Sequence, residues 1–306
     1  MKSLRIGTRG SDLALAQSLI LQIALSQAYP ELSIDTIVIR TQGDVRLDAP
    51  LGIASPLDRG AFTKELETAL LQKTVHVAVH SLKDLPVENT PGLIIGATLP
   101  RASCEDFLIS KQAGGLEALP RGARVATGSQ RRRFQILRQR PDLVVEGIRG
   151  NVATRLAKLA GTNGLHAIIV ARAGLERLYA LVPGGLCERL GLYAKALKDF
   201  LPAPGQGAIA IQVLEKDKQI RQLLMPVHDS PTEECVRAER LLLKKLGGGC
   251  HSALGALAKP LPGAIYLQAT WFQGISFRYA QATASTAEEV ATQVFSTFSQ
   301  GGGTDC

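Results

Sequence analysis

The first two thirds of the chain alternate short apolar runs with stretches whose apolar residues recur at helical spacing. The first strand-like runs are residues 4–8, 34–40 and 75–80. One helix is predicted to begin after a capping Ser11 and to end at Tyr29-Pro30, and another covers residues 62–71. Strands that alternate with helices predict an α/β domain with a mainly parallel sheet.

A second set of the same kind starts near Arg101. Its predicted strands are residues 107–110, 124–127, 143–146 and 167–170, and its helices are residues 130–140, 152–159 and 173–178. One more buried strand, residues 208–213, follows after this set is complete. We expect this late strand to return to the first sheet, which gives two lobes joined by two chain crossings around a cleft.

The last part of the chain has a different pattern. A helix over residues 232–246, with Thr232 as its cap, ends at Gly247-Gly248-Gly249. Two strands, residues 265–271 and 276–282, are predicted to pair around a turn, and residues 288–298 form a final helix. This pattern indicates a small α+β domain.

Composition sets the broad class of protein. With 306 residues, 45% hydrophobic and 20% charged, the chain is expected to fold into two or three domains. No apolar run is long enough for a membrane span, and no secretory signal is expected, so we predict a cytoplasmic location. Five scattered cysteines without a CxxC or HExxH cluster predict neither a disulfide scaffold nor a metal site.

The net charge of +8 indicates an anionic partner. Arginines follow several predicted strands, at the edge of a parallel sheet where ligands bind; they are Arg9, Arg131-Arg132-Arg133, Arg149 and Arg172. Guanidinium groups grip planar carboxylates or phosphates at two points. The alternative is that they only solubilise helices. Nucleic acid is a less favoured partner, because only Phe134 lies near the arginine run for base stacking.

Asp84 follows the buried strand 75–80, from which Ser81, Leu82 and Lys83 separate it. A lone acid among arginines is expected to stay ionised. It can then hold N–H donors or stabilise a cation formed during a reaction. The alternative, equally open from the local sequence, is a turn aspartate paired with Lys83.

Cys250 follows three glycines and precedes His251. A glycine loop lets another molecule approach the backbone closely, so this thiol is expected to be more accessible than most. The alternative is an inert buried cysteine. A catalytic dyad with His251 is not favoured, because adjacent residues rarely aim their side chains at each other.

Six motifs, in order, together resemble one family. They are Ile6-Gly7-Thr8-Arg9-Gly10-Ser11, residues 78–86 (AVHSLKDLP), 127–132 (TGSQRR), 149–155 (RGNVATR), 202–208 (PAPGQGA) and 239–250 (ERLLLKKLGGGC). The chain is similar to the hydroxymethylbilane synthase, or porphobilinogen deaminase, family. Two stretches depart from the family pattern: residues 50–61, in the region of the family's lid, and residues 251–255, where a proline is missing.

The resemblance implies two periplasmic-binding-protein-like α/β lobes around a cleft and a small C-terminal α+β domain. The implied bounds are residues 1–99 with 200–226, residues 100–199, and residues 227–306. The implied enzyme is a transferase that condenses four porphobilinogen molecules head to tail, releases ammonia, and frees linear hydroxymethylbilane by hydrolysis. The growing chain is anchored to a dipyrromethane cofactor held by a thioether, here to Cys250.

The resemblance also assigns site residues. Asp84 is the catalytic acid that stabilises the positive charge of the azafulvene formed on deamination. The implied cofactor-binding residues are Cys250, Lys83, Ser129, Arg131 and Arg132. The implied substrate-binding residues are Arg9, Ser11, Arg149, Arg155, Arg177 and Phe62. We expect a monomer without metal, nucleotide, nucleic-acid or membrane partners; the alternative function is a non-catalytic polycarboxylate-binding protein of the same two-lobed fold.

Overall fold

The computed structural model describes residues 2–41, 63–161, 164–179, 185–248, 252–274 and 276–300. The chain divides into two compact units: Met1–Ala102 with Ala208–Glu233, and Ser103–Gly207 with Glu234–Cys306. The three-domain division expected from the sequence stays a prediction. Among the described helices, none combines the length and apolar character needed to cross a bilayer.

Strands and helices alternate through most of the described chain. The strands are β1 (Ser3–Thr8), β2 (Ser33–Val38), β3 (Val77–Ser81), β4 (Leu93–Thr98), β5 (Asp106–Ser110), β6 (Arg124–Ala126), β7 (Val144–Glu146), β8 (Leu165–Ala171), β9 (Tyr193–Leu197), β10 (Ile209–Leu214), β11 (Leu254–Leu261), β12 (Ala264–Gln273) and β13 (Ser276–Ala284). The α-helices are α1 (Asp12–Ala28), α2 (Lys64–Leu71), α3 (Gln130–Gln139), α4 (Val152–Gly161), α5 (Arg172–Tyr179), α6 (Leu186–Arg189), α7 (Lys218–Leu224), α8 (Ser230–Lys245) and α9 (Ala287–Ser299).

The first unit is built on a five-stranded sheet in the order β2-β1-β3-β10-β4. Strands β1, β2 and β3 are parallel, whereas β10 runs antiparallel to both of its neighbours. One face of the sheet packs on α1 and α7 through Leu4, Ile6, Leu21 and Ile220. The other face packs on α2. Because β10 comes late in the chain, it confirms the prediction that a strand returns to the first sheet.

The second unit contains a sheet in the order β7-β6-β8-β5-β9. Strands β6, β7 and β8 are parallel, and β5 is antiparallel to β8 and β9. The strand order therefore repeats that of the first sheet, with β5 in the place of β10. One face packs on α3 through Ile136, and the other packs on α4 and α5 through Leu156 and Leu175. Both sheets agree with the expected α/β class.

The C-terminal part of the second unit is a three-stranded antiparallel sheet, β11-β12-β13, covered by α9. The sequence predicted only the second and third of these strands. Thr286 begins α9 with a capping box, in which its hydroxyl accepts from Glu289 N and the Glu289 carboxylate accepts from Thr286 N. The small α+β domain is confirmed, with one more strand than expected.

Helix α8 begins earlier than the sequence predicted. The carboxylate of Asp229 accepts a hydrogen bond from Thr232 N at 2.8 Å, so Asp229 caps the helix and Thr232 lies inside its first turn. The prediction that Thr232 is the cap is therefore wrong. At the other end, Gly247 has φ of +63°, and Gly248 N donates to Leu243 O. This Schellman arrangement favours glycine at position 247, so the predicted end of the helix at Gly247-Gly248-Gly249 is confirmed.

Candidate functional site

In the first unit, the predicted site residues gather at the carboxyl ends of β1 and β3. Arg9 directly follows β1, and the hydroxyl of Ser11 accepts a hydrogen bond from Ala14 N at 3.4 Å to cap α1. Lys83 and Asp84 directly follow β3. Because these two strands are parallel neighbours, all four residues lie at one edge of the sheet.

Asp84 lies in a single 3₁₀ turn, Leu82–Asp84, fixed by backbone contacts on both sides. Leu82 N donates to Ala208 O at 3.1 Å, and Leu85 N donates to Leu82 O. The side chain of Gln17, buried on α1, donates to the Ser81 hydroxyl at 2.8 Å. Leu82 is fully buried while Asp84 is exposed, so the turn anchors an apolar residue and presents the carboxylate at the surface of the unit.

His80 is the last fully enclosed side chain before this turn, 5% exposed. Burial lowers its pKa to about 4, and the positive charge of Arg9 acts in the same direction. Within the described part of the chain, its Nε2 has no hydrogen-bond partner. His80 is therefore neutral at physiological pH, and the positive charge at this edge comes from Arg9 and Lys83 instead.

In the second unit, the predicted residues gather at the equivalent edge, where β6 and β7 end. Ser129 begins α3 as its cap, and its hydroxyl accepts from Arg132 N at 3.5 Å. Arg149 and Arg155 flank the start of α4. The structure therefore places Ser129, Arg131, Arg132, Arg149 and Arg155 near one edge of this sheet, and their contacts with a ligand stay a prediction.

Arg131 and Arg132 are bound to a carboxylate of the protein itself, Asp106 at the start of β5. Arg131 Nη1 lies 2.7 Å from Asp106 Oδ2, and Arg132 Nη2 lies 2.7 Å from Oδ1. Arg132 also donates through Nε to Oδ1 and through Nη1 to Ile169 O. Gln206 Nε2 donates to the same Oδ1 at 2.9 Å. Asp106 is thus the centre of a buried hydrogen-bonded cluster.

This cluster carries an excess of positive charge. Burial alone would raise the pKa of Asp106, but the charges and hydrogen bonds of Arg131 and Arg132 outweigh it and hold the pKa well below its ordinary value. Two guanidinium groups therefore share one carboxylate, and Arg131 is only 2% exposed. Its Nε is a buried donor with no acceptor among the described residues. Two buried guanidinium groups that share one carboxylate leave a net positive charge, which favours an anionic group close by.

The turn before α4 explains the spacing of Arg149 and Arg155. Gly150 has φ of +109°, and a Cβ there would lie 2.8 Å from the Thr154 side chain, so only glycine fits. Asn151 caps α4 by accepting from Thr154 N at 2.8 Å. Arg155 Nε donates to Gly150 O at 2.8 Å. The turn thus fixes the backbone of both arginines against the helix N-terminus.

Two other arginines have structural partners. Arg177 is buried and donates through Nη2 to Gly207 O at 2.7 Å, and burial lowers its pKa to about 10. Its predicted contact with substrate stays a prediction. Arg172, one of the arginines that follow strands, forms ion pairs with Glu105 and Glu176. These pairs make Arg172 a surface ion-pair residue in this structure.

Phe62, Cys250, His251 and the departing loop at residues 50–61 lie outside the described residues. Over the described ranges, no three His, Cys, Asp or Glu side chains come together as a metal site. Sequence reasoning missed Asp106, Gln206 and Glu239. A signal for Asp106 was present, because this acid stands directly before the apolar run Phe107–Ile109, where a buried charge needs a partner.

These features define an α/β protein whose sheet edges carry guanidinium groups and one exposed carboxylate. Two family models match the chain: "Porphobilinogen deaminase, dipyromethane cofactor binding domain" over residues 4–222, and "Porphobilinogen deaminase, C-terminal domain" over residues 233–294. The chain belongs to the porphobilinogen deaminase family. The first model identifies the larger part as a dipyrromethane-binding region, which agrees with the buried cationic excess. The non-catalytic alternative is not favoured.

Curated relatives agree with this assignment. The porphobilinogen deaminase of Syntrophobacter fumaroxidans is 44% identical over 264 residues, covering 86% of this chain and 82% of that protein. That of Chloroherpeton thalassium is 41% identical over 291 residues, covering 95% and 89%. Among solved structures, the methionine binding protein MetQ matches with a TM-score of 0.45 and 10% identity, over 76% of this chain and 93% of that chain.

Proposed function

We propose that this protein is a transferase that condenses four porphobilinogen molecules head to tail and releases linear hydroxymethylbilane. The observation that carries the proposal is the cluster of Asp106, Arg131 and Arg132, whose excess positive charge suits an anionic cofactor. The family assignment supplies the identity of that cofactor as a dipyrromethane. When bound, the dipyrromethane would supply the pyrrole carbon to which the first ring is added, and each later ring is added to the ring before it.

Each addition exchanges one bond for another. The C–N bond of the substrate's aminomethyl group breaks and ammonia leaves, and a C–C bond forms between that methylene and the pyrrole carbon, which then loses its proton. Positive charge develops on the substrate pyrrole when ammonia leaves. Asp84, exposed at the end of its 3₁₀ turn, stabilises this charge and holds the pyrrole N–H groups. In the last step water cleaves the C–C bond between the first ring's methylene and its anchor: the methylene takes the hydroxyl group and the anchoring carbon takes the proton.

The remaining predicted residues bind carboxylates or rings. Each pyrrole carries acetate and propionate, so the growing chain is a polyanion that guanidinium groups hold in bidentate fashion. We assign cofactor contacts to Lys83, Ser129, Arg131 and Arg132, and attachment to Cys250. We assign substrate contacts to Arg9, Ser11, Arg149, Arg155, Arg177 and Phe62. We also propose a cytoplasmic monomer, to be checked by cell fractionation and by light scattering.

Intact-mass spectrometry tests the central proposal. Protein made in a porphobilinogen-producing host is expected to carry a covalent dipyrrole adduct and to consume porphobilinogen. Cys250→Ala removes the adduct and the activity. Cys104→Ala is the matched control, because Cys104 is half-buried and its contact with Gln206 runs through the backbone carbonyl. A wild-type protein of unmodified mass and without activity would refute the proposal.

A further inference from the structure

The motif at residues 202–208 has no part in the chemistry proposed above, yet the chain around it is held by side chains from several elements. We call residues 201–207 the connecting segment. At its start, Leu201 O accepts from Arg131 Nη1 at 2.7 Å, and Leu201 N donates to Gln135 Oε1 at 2.8 Å. At its end, Gly207 O accepts from Arg177. The connecting segment is therefore fastened directly to the arginine cluster.

Glu239 fastens the middle of the connecting segment to the C-terminal sheet. This side chain on α8 is fully buried. Its Oε2 accepts from Gly205 N at 2.7 Å, and its Oε1 accepts from Ala258 N on β11 at 2.8 Å. Hydrogen bonds from backbone N–H groups to an ionised carboxylate are among the stronger ones. One carboxylate thus joins α8, β11 and the connecting segment.

A second contact joins the same two pieces of chain. Ala256 N on β11 donates to Pro202 O at 2.9 Å. Next to it, a Cβ built at Gly255 would lie 2.8 Å from Leu201 Cβ and 3.0 Å from Leu201 O. Glycine is therefore required at position 255 for the backbone of β11 to approach the connecting segment this closely.

We propose that Glu239 is a positioning residue for cofactor attachment. Cys250 lies in sequence between α8 and β11, and Glu239 ties the helix before it and the strand after it to the segment that Arg131 holds. The carboxylate thereby fixes α8, which precedes Cys250 in sequence, and β11, which follows it, relative to the arginine cluster. This inference rests on the proposed function, in which Cys250 carries the cofactor that Arg131 and Arg132 bind.

Glu239→Gln tests this role with little change of side-chain shape. An amide offers one acceptor oxygen and places its NH2 group against the other backbone N–H, so one of the two links is lost. Glu234→Gln is the matched control, because Glu234 lies on the same helix and pairs only on the surface with Arg237 among its described contacts. Turnover is measured per adduct-bearing molecule, counted by intact mass, well below the unfolding midpoint of each protein.

For Glu239→Gln we expect kcat per loaded molecule to fall on the order of 10²-fold, since displacing a reacting group by about 1 Å has an effect of that size. KM is expected to change less than kcat, because the hydrogen bonds that Glu239 accepts from Gly205 N and Ala258 N do not involve the proposed substrate contacts Arg9, Ser11, Arg149 and Arg155. Glu234→Gln retains wild-type values. Equal kcat per loaded molecule in Glu239→Gln and the wild type, even with a lower unfolding temperature, would overturn the positioning role.

Gly255→Ala tests the same contact between β11 and the connecting segment by changing the backbone approach. Its added methyl group pushes β11 away from Leu201, and the same loss of kcat per loaded molecule is expected. Gly161→Ala is its control, because a Cβ there meets nothing within 4 Å. If neither Glu239→Gln nor Gly255→Ala folds, Glu239 serves stability and the proposal is overturned. A wild-type protein without adduct would instead refute the proposed function, whatever the variants do.

Discussion

Asp106→Asn removes the single negative charge from the buried arginine cluster. Asp106 is fully buried and Arg131 is 2% exposed, so water cannot replace the lost carboxylate. Removing one partner of a buried ion pair typically costs about 3–5 kcal/mol, because the other partner is left uncompensated. Here two guanidinium groups lose their partner at once. For a unit of this size the expected fall in Tm is roughly 6–20 °C.

The measurement is thermal and denaturant unfolding followed by circular dichroism, with Asp142→Asn as the control. Asp142 also forms a two-point pair with an arginine, Arg140, at 2.8 and 2.7 Å, but both side chains are partly exposed, at 22% and 20%. Solvent screens such a pair, so its loss is expected to have a much smaller effect. If Asp106→Asn destabilises the protein no more than Asp142→Asn does, the assignment of the cluster as a desolvated charge network is refuted.

The dependence of this effect on pH follows from the lowered pKa of Asp106. The unfolded carboxyl group takes up its proton near pH 4, whereas the folded one stays ionised at that pH. The pair therefore contributes its full stability above about pH 4 and loses it as the pH falls further toward the folded pKa. The difference in unfolding free energy between wild type and Asp106→Asn is expected to be constant from pH 7 to about pH 4 and to shrink below it.

The remaining predictions concern a buried base, the exposed acid and a helix cap. Because the pKa of His80 falls to about 4 on folding, the protein should lose on the order of 3 kcal/mol between pH 6.5 and pH 4, and His80→Gln should remove that slope from the pH dependence of unfolding. Asp84→Ala should abolish porphobilinogen turnover while the adduct mass and the unfolding temperature persist; near-normal turnover would exclude Asp84 from the reaction. Thr286→Ala removes the capping box of α9 and should cost about 1 kcal/mol in denaturant unfolding, whereas no change would show that the cap is replaced by water.

Strands with a compact apolar run, such as β1, β3 and β8, could be predicted from the sequence because both of their faces are buried. Three strands were missed, and each lies at the edge of a sheet. β9 (Tyr193–Leu197) exposes most of its side chains and pairs only with β5, so little hydrophobic pattern marks it. β11 contains Gly255 and Pro260. An edge strand tolerates both residues, but in a sequence they predict a turn, so the strand was not predicted.

The arginines of the candidate site could be predicted because the rule that ligands bind at the carboxyl ends of parallel strands depends only on topology. The partners of Arg131 and Arg132 could not be found in this way. Asp106 is the first residue of its strand instead of following one, and Gln206 lies 100 residues further along the chain. This cluster forms because β5 lies between β8 and β9 and runs antiparallel to both. No local sequence pattern specifies that position.

The position of β10 between β3 and β4 determines when, during synthesis, the first sheet can be completed. Strand β4 (Leu93–Thr98) has β10 as its described sheet neighbour, and β10 is made only after the whole segment Ser103–Gly207 has been synthesised. Until then, the edge of β3 that will receive β10 is unpaired, and such edges associate with other chains. The N-terminal sheet therefore cannot be completed until β10 has been synthesised. A ribosome that stalls between β4 and β10 would leave a chain with an incomplete, aggregation-prone sheet.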